Sequence, residues 1–200
     1  MHLRLAAPVA VLALAGATLP AVATSSPRRA SALEHASAHQ VRGDLGAATG
    51  APTSWAAKAL RVHAGRLGVD ASTYRFESVR TSLIGTHVRG RQFRGGVAVQ
   101  GADVLVSALN GRVVQVDALA SALPGTASKA PVGELVAKAA ALGHLEIETL
   151  YVPASVERVL LPTRGRLVDT YRVSLVASKP QRAAQVDVDA ATGRVLSVPH

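Results

Sequence analysis

The sequence predicts an α+β protein, two small helix-plus-antiparallel-sheet units in tandem after a signal peptide. Three observations predict it. Several short runs place apolar residues at every second position, the period of a half-buried strand. Two longer segments place them three and four apart, the period of a helix packed on one side. Each helical segment precedes a group of strand runs that ends in a Gly turn and a valine-rich return. The expected divisions are 1–23 signal peptide, 24–53 flexible leader, 54–119 first unit, 120–130 linker and 131–200 second unit.

The first unit opens with a helix from Ser54 to Leu67. Ala56, Leu60, Ala64 and Leu67 form its stripe, flanked by Trp55, Ala59 and Val62. Thr53 or Ser54 can cap its start and Gly68 can end it, with Pro52 marking the boundary. Tyr74 to Ile84 reads as a strand with Tyr74, Phe76, Ser78 and Arg80 on one face, broken by Gly85. His87 to Arg94 is a polar, basic strand closed by Gly95-Gly96. Val97 and Val99, then Val104, Val106 and Ala108, continue the alternation. Asn110-Gly111 is a strong hairpin signal, and Arg112 to Asp117 returns with Val113, Val114 and Val116.

Ala118 to Ala130 is small, polar and interrupted by Pro124-Gly125, as a linker is. The second helix is expected from Pro131 to Leu142, with Pro131 at the first position, Ser128 as a possible cap and Gly143 at the end. Val132, Leu135, Val136, Ala139 and Leu142 form its stripe. Glu148 to Val152 and Val156 to Leu161 are short strands broken by Pro153 and Pro162. Leu167 to Val176 is a clearer strand, and Lys179-Pro180 a turn. Ala184 to Asp189 and Arg194 to Val198 close the chain as a hairpin over Ala190 to Gly193.

The N-terminus reads as an export signal. Arg4 supplies the charge, Leu5 to Leu19 the uncharged apolar core, and Ala21-Val22-Ala23 a small-x-small cleavage site before Thr24. The apolar run is short for a membrane span. The expected location is therefore extracellular, with no membrane attachment after cleavage. There is no cysteine, which excludes disulfides, thiolate metal sites and thiol catalysis. Export without disulfides and an Ala/Arg/Val/Gly-heavy composition suit a bacterial secreted protein. Aromatics are only 3%, so Val, Leu and Ala must build the core.

The net charge is +9, and it is unevenly spread. Ser54 to Leu119 carries nine basic residues against four acidic, while Ala120 to His200 carries nine against seven. A basic face attracts anionic surfaces or an acidic protein, or it is simply a solvated strand face. For an exported chain nucleic acid is not an expected partner.

Motifs for catalysis are missing. Glu34-His35 and His39 put two histidines one helical turn apart, but the H-E-x-x-H zinc signature needs Glu directly after the first His, and Ala36 stands there. No H-E-x-x-H, G-x-S-x-G or P-loop occurs elsewhere. Asp187 and Asp189 share a strand face and could bind a cation weakly, or act as solvated partners of Arg172 or Arg194. No cofactor, metal site or enzymatic activity is expected.

His87, Val88, Arg89, Gln92, Gly96, Val97, Val99, Gly101, Ala102, Leu105, Val106, Gly111, Val113 and Val116 form a run that resembles the end of the FTP module, the short propeptide domain of secreted fungalysin- and thermolysin-like zinc metalloproteases. The chain departs from that pattern at Gly90, Arg94 and Ala98. Val186 to Leu196, V-D-V-D-A-A-T-G-R-V-L, resembles the last hairpin of a PepSY module, which often follows FTP in such precursors. The resemblance implies a zinc metalloprotease catalytic domain as partner. It implies Arg80, Arg89, Arg91, Gln92 and Arg94 as the partner-binding set. Three readings stay open: a secreted propeptide-like inhibitor or folding assistant, a pro-region fragment of such a protease precursor, and an exported binder of an anionic ligand or cell-surface polymer.

Overall fold

A computed structural model describes residues 36–197. The signal-peptide expectation and His35 lie outside the described residues.

Helix α1 runs Pro52–Leu67. Ala51 is its N-cap, without a side-chain cap, and Pro52 takes the first turn, so neither Thr53 nor Ser54 has the expected role. Gly68 ends it in the left-handed conformation. The buried residues are Trp55, Ala56, Ala59, Leu60 and Leu67. A one-turn 3₁₀ helix, Ala71–Thr73, leads into strand β2, Tyr74–Ser82. Then follow β3 (Gly85–Arg94), β4 (Val97–Leu109) and β5 (Arg112–Ser121). Asn110 and Gly111 both adopt positive φ, 50° and 73°, as a two-residue turn with the twist of a hairpin requires.

Strand β2 ends before Ile84. Its pairing with β3 shifts between Phe76 and Ser78. Tyr74 is buried and Phe76 packs on the core, whereas Ser78 and Arg80 pair with Arg89 and His87 on the other face. The four residues expected on one face are therefore divided by a β-bulge, which turns alternation over. Beside it, a Cβ on Gly90 would stand 2.3 Å from the Arg75 carbonyl oxygen. The sheet leaves no room for a larger residue there.

Part of the expected leader is also strand. Residues Ala36–Arg42 form β1, paired along β5 from Ser121 to Gln115. Its small residues carry little apolar signal. Backbone hydrogen bonds to β5 hold it in place, and Val41 is buried in the core beneath α1.

Helix α2 runs Glu134–His144, later than expected at both ends. Its cap is Gly133, and Ser128 instead gives its backbone N–H to Asp169 at 2.6 Å. The buried residues are Ala137 and Ala141, while Leu135 and Val136 are exposed. The stripe was expected through the larger residues. Of that stripe Val132 and Leu142 pack on the core as expected, but the centre of the contact is made by the two alanines, which let the helix approach closely. Strands β6 (Thr149–Leu150), β7 (Ser155–Thr163), β8 (Arg166–Lys179), β9 (Gln181–Asp189) and β10 (Val195–Ser197) complete the chain.

The expected pair of separate helix-plus-sheet units does not form. Strand accounts for 53% of the described residues and helix for 19%, and ten strands join in one mixed sheet. Its order is β1-β5-β4-β7-β8-β9-β10, with β2 beside β3, β3 beside β4, and β6 beside β8. The joint is the parallel pairing of Ala98 with Val159 and Val99 with Leu160. All four residues are at most 5% exposed. Burying a valine or leucine contributes roughly 1.5–3 kcal/mol, so this short contact is worth closing. Local periodicity shows that a run is a strand and not which strand it meets. The fold is thus sheet-dominated, with α1 over the β1–β5 part and α2 over β8 and β9.

Candidate partner-binding face

Alternation sorts the side chains of hairpin β2–β3. Val88, Gly90 and Gln92 are buried on the side of α1. Between them His87, Arg89 and Arg91 point to the face that no helix covers. Likewise Arg172 alternates with Tyr171 and Val173 of the α2 core, so it too lies on the helix-free face.

The fold does not bring the five expected partner-binding residues together on one exposed surface. Gln92 is buried; its amide oxygen accepts the Ser121 N–H at 3.1 Å, and its amide nitrogen lies 3.5 Å from Thr73 Oγ1. Arg94 donates to the Leu123 carbonyl at 2.6 Å and to that of Ser121. These two side chains hold the end of β5 and the segment after it against β3. Arg91 bridges two carboxylates, Glu77 at 2.7 Å and Glu157 at 2.6 Å. Its bonds to Glu77 above all, then to Glu157, raise its pKa further beyond the usual arginine range. It ties the first hairpin to β7 across the sheet joint.

Arg80 and Arg89 differ. Both are exposed, on neighbouring strands, and neither has a side-chain partner among the described residues. Arg80 pairs in register with His87, so Arg89 is its diagonal neighbour, about 7–8 Å away on the same face. His87 itself meets Ser107 Oγ through Nδ1 at 2.9 Å. Among the described strands, β2 pairs only with β3, which leaves its other edge open.

Residues outside the expected set complete the joint. Arg172 meets Asp187 at 3.1 Å and donates to Gln100. Asp187 is fully buried, not solvated, and accepts a further bond from Ser197 Oγ at 3.3 Å. Arg172 pairs with Asp187 in the β8–β9 register, so the aspartate was assigned the right partner and the wrong environment. Asp189 accepts the backbone N–H groups of Ala191 and Thr192 at 2.9 and 2.8 Å, as a turn former. The guanidinium of Arg75 lies 4.6 Å above the Phe93 ring. On the α2 side, Arg158 grips Asp169 at 2.6 Å and the Ser128 carbonyl at 2.9 Å. The hydrogen bond to Asp169 raises the Arg158 pKa.

The site also has an apolar member that alternation concealed. Leu83 and Ile84, expected to end a strand, are instead the two-residue turn between β2 and β3, 107% and 74% exposed. A Leu-Ile pair bounded by Ser82 and Gly85 was the available signal.

Among the described residues no group of three or more His, Cys, Asp or Glu could hold a metal ion, and no helix is long and apolar enough to cross a membrane. No protein-family model and no curated protein matches the chain.

Proposed function

We propose that this chain is a secreted, non-catalytic module of the propeptide type, which inhibits or assists the folding of a zinc metalloprotease catalytic domain, in cis or in trans. The observation that carries the reading is the open end of hairpin β2–β3. There Arg80 and Arg89 stand exposed on the helix-free face, without a side-chain partner among the described residues, beside a strand edge that no described strand covers. Such an end offers two modes of protein recognition. Exposed positive charge steers an acidic partner into place. A free edge can take up a partner strand through backbone hydrogen bonds. The resemblance of His87–Val116 to the FTP module supplies the class of that partner. Gln92, Arg94 and Arg172 are internal fasteners in this reading.

The test is a refolding and inhibition assay with a panel of secreted thermolysin-like and fungalysin-like catalytic domains from the source organism. The chain is expected to raise the refolded yield, or slow peptide hydrolysis, for at least one enzyme. No effect on any of them would remove the proposal. Salt-sensitive retention on an anionic polysaccharide, without any effect on the enzymes, would favour a polymer binder.

A further inference from the structure

The turn that joins β2 to β3 breaks two rules at once. Two-residue turns between strands favour Gly, Asn or Asp in composition, although Leu83 and Ile84 are not among the residues at positive φ. Here the turn is Leu83-Ile84. Large aliphatic side chains are normally buried, yet these are 107% and 74% exposed. Val79 on β2 and Leu109 at the end of β4 are also exposed, at 42% and 43%. Leu109 belongs to the same end of the sheet. A Cβ on Gly85 would meet the Ala108 carbonyl oxygen at 2.3 Å and stand 3.7 Å from the Leu109 Cα. A local breach of folding rules without a structural return marks a functional place.

The charge around this tip is one-sided. From Ser78 to Arg89 there is no Asp or Glu, and Arg80 and Arg89 are the charged residues. Asp103 on β4 lies diagonal to Arg89 on the side away from the tip, whereas Arg80 and Arg89 face each other as diagonal neighbours toward it, and an acidic partner relieves their mutual repulsion. The tip therefore presents a small apolar point behind which sits a cationic pair.

We propose, building on the propeptide-type reading above, that the Leu83-Ile84 tip is the docking point of this module. It seats in an apolar hollow on the folded metalloprotease domain, whose rim is acidic and meets Arg80 and Arg89. A protein fits better than a lipid surface for a backbone reason. Among the described residues, no strand pairs with the outer edge of β2, which runs up to the tip and presents N–H and C=O groups. Hydrocarbon cannot satisfy such groups. A partner strand or loop can satisfy them.

The experiment uses the full chain against the enzyme panel named above, with anionic phosphatidylglycerol vesicles as a separate probe. Four proteins are compared: wild type, Leu83→Ser/Ile84→Ser, Arg80→Ser/Arg89→Ser, and Val62→Ser as an exposed apolar control on α1. Unchanged circular dichroism and thermal midpoint establish that the tip variant folds. The expected result is that the tip variant weakens inhibition or refolding assistance at least 10-fold. The arginine variant should weaken it several-fold and flatten its salt dependence, and Val62→Ser should leave it unchanged. Wild-type activity that survives the tip substitution overturns the docking point and leaves the propeptide-type reading standing. Absence of wild-type activity on every enzyme overturns both. Tip-dependent binding to the vesicles without tip-dependent binding to an enzyme overturns the protein partner in favour of a membrane.

Discussion

Arg172 and Arg89 occupy the same helix-free face of one sheet, and they have opposite surroundings. Arg172 lies near the joint, 7% exposed, with Asp187 and Gln100 on its guanidinium. Arg89 lies near the free end of hairpin β2–β3, exposed and without a side-chain partner among the described residues. Arg91, two residues beyond Arg89 on the same strand β3 and nearer the joint, is intermediate in both respects and divides its bonds between Glu77 and Glu157. The contrast separates two uses of positive charge. Where strands of distant sequence meet, arginines fasten the sheet. Where a hairpin ends with no neighbour, they are left for something outside the chain. A net charge of +9 does not distinguish these uses; the pairing of each guanidinium does.

The largest expected effect breaks the joint. Asp187→Ala leaves the Arg172 charge buried without its carboxylate, and removal of one partner of a buried pair costs about 3–5 kcal/mol. Urea denaturation should show this as a lowered midpoint with the slope retained. Little change would mean that Arg172 reaches water.

The next effect is a pH dependence. Burial, with the Asp103 charge adding to it, pushes the Tyr74 hydroxyl from 10.0 up to about 12. Its Oη donates to the Leu119 carbonyl at 3.0 Å, a bond the phenolate cannot make. The folded state thus holds this proton more tightly than the unfolded chain. Its contribution is complete below pH 10 and lost as pH rises toward 12, on the order of 1–2 kcal/mol once solvent screening is allowed for. Denaturation between pH 8 and 12 should show the decline, and Tyr74→Phe should remove that part of it.

Gly90→Ala comes third. The added carbon meets backbone rather than a flexible side chain, so β2 and β3 must part, at about 1–3 kcal/mol. Its thermal midpoint should fall clearly, whereas Gly96→Ala is a poor comparison because Gly96 has a φ of 82°. Smallest of all is Arg80→Ser/Arg89→Ser, expected within about 0.5 kcal/mol of wild type, since exposed groups without partners contribute little to folding. A substantial loss of stability there would place these arginines among the fasteners.

Much of the local structure was legible. Asn110-Gly111 announced its hairpin, Gly95-Gly96 its turn, and the valines of β4 and β5 their inward face. Helix α1 was clear because Trp55, Leu60 and Leu67 are large enough to mark a stripe. Helix α2 was misjudged because its buried residues are Ala137 and Ala141, and alanine carries almost no signal beside Leu135 and Val136. Strand β1 was hidden for a related reason: only Val41 of its residues is a large apolar one, and it enters the core only once the strand pairs with β5. The single sheet was not legible, since it turns on two residue pairs between Val97–Leu109 and Ser155–Thr163. Of the candidate site, its arginines were visible as a group. Their division into fasteners and free charges was not, because Glu157 and Ser121 approach only in the folded chain.

The most direct test of that division is arginine footprinting with phenylglyoxal, read by mass spectrometry on the folded chain alone and with a metalloprotease domain that it inhibits. Arg80 and Arg89 should be modified quickly in the free chain and protected in the complex, while Arg172 reacts only on unfolding. Fast reaction at Arg172 in the folded chain, or Arg80 and Arg89 reacting equally fast in the complex, would contradict the account.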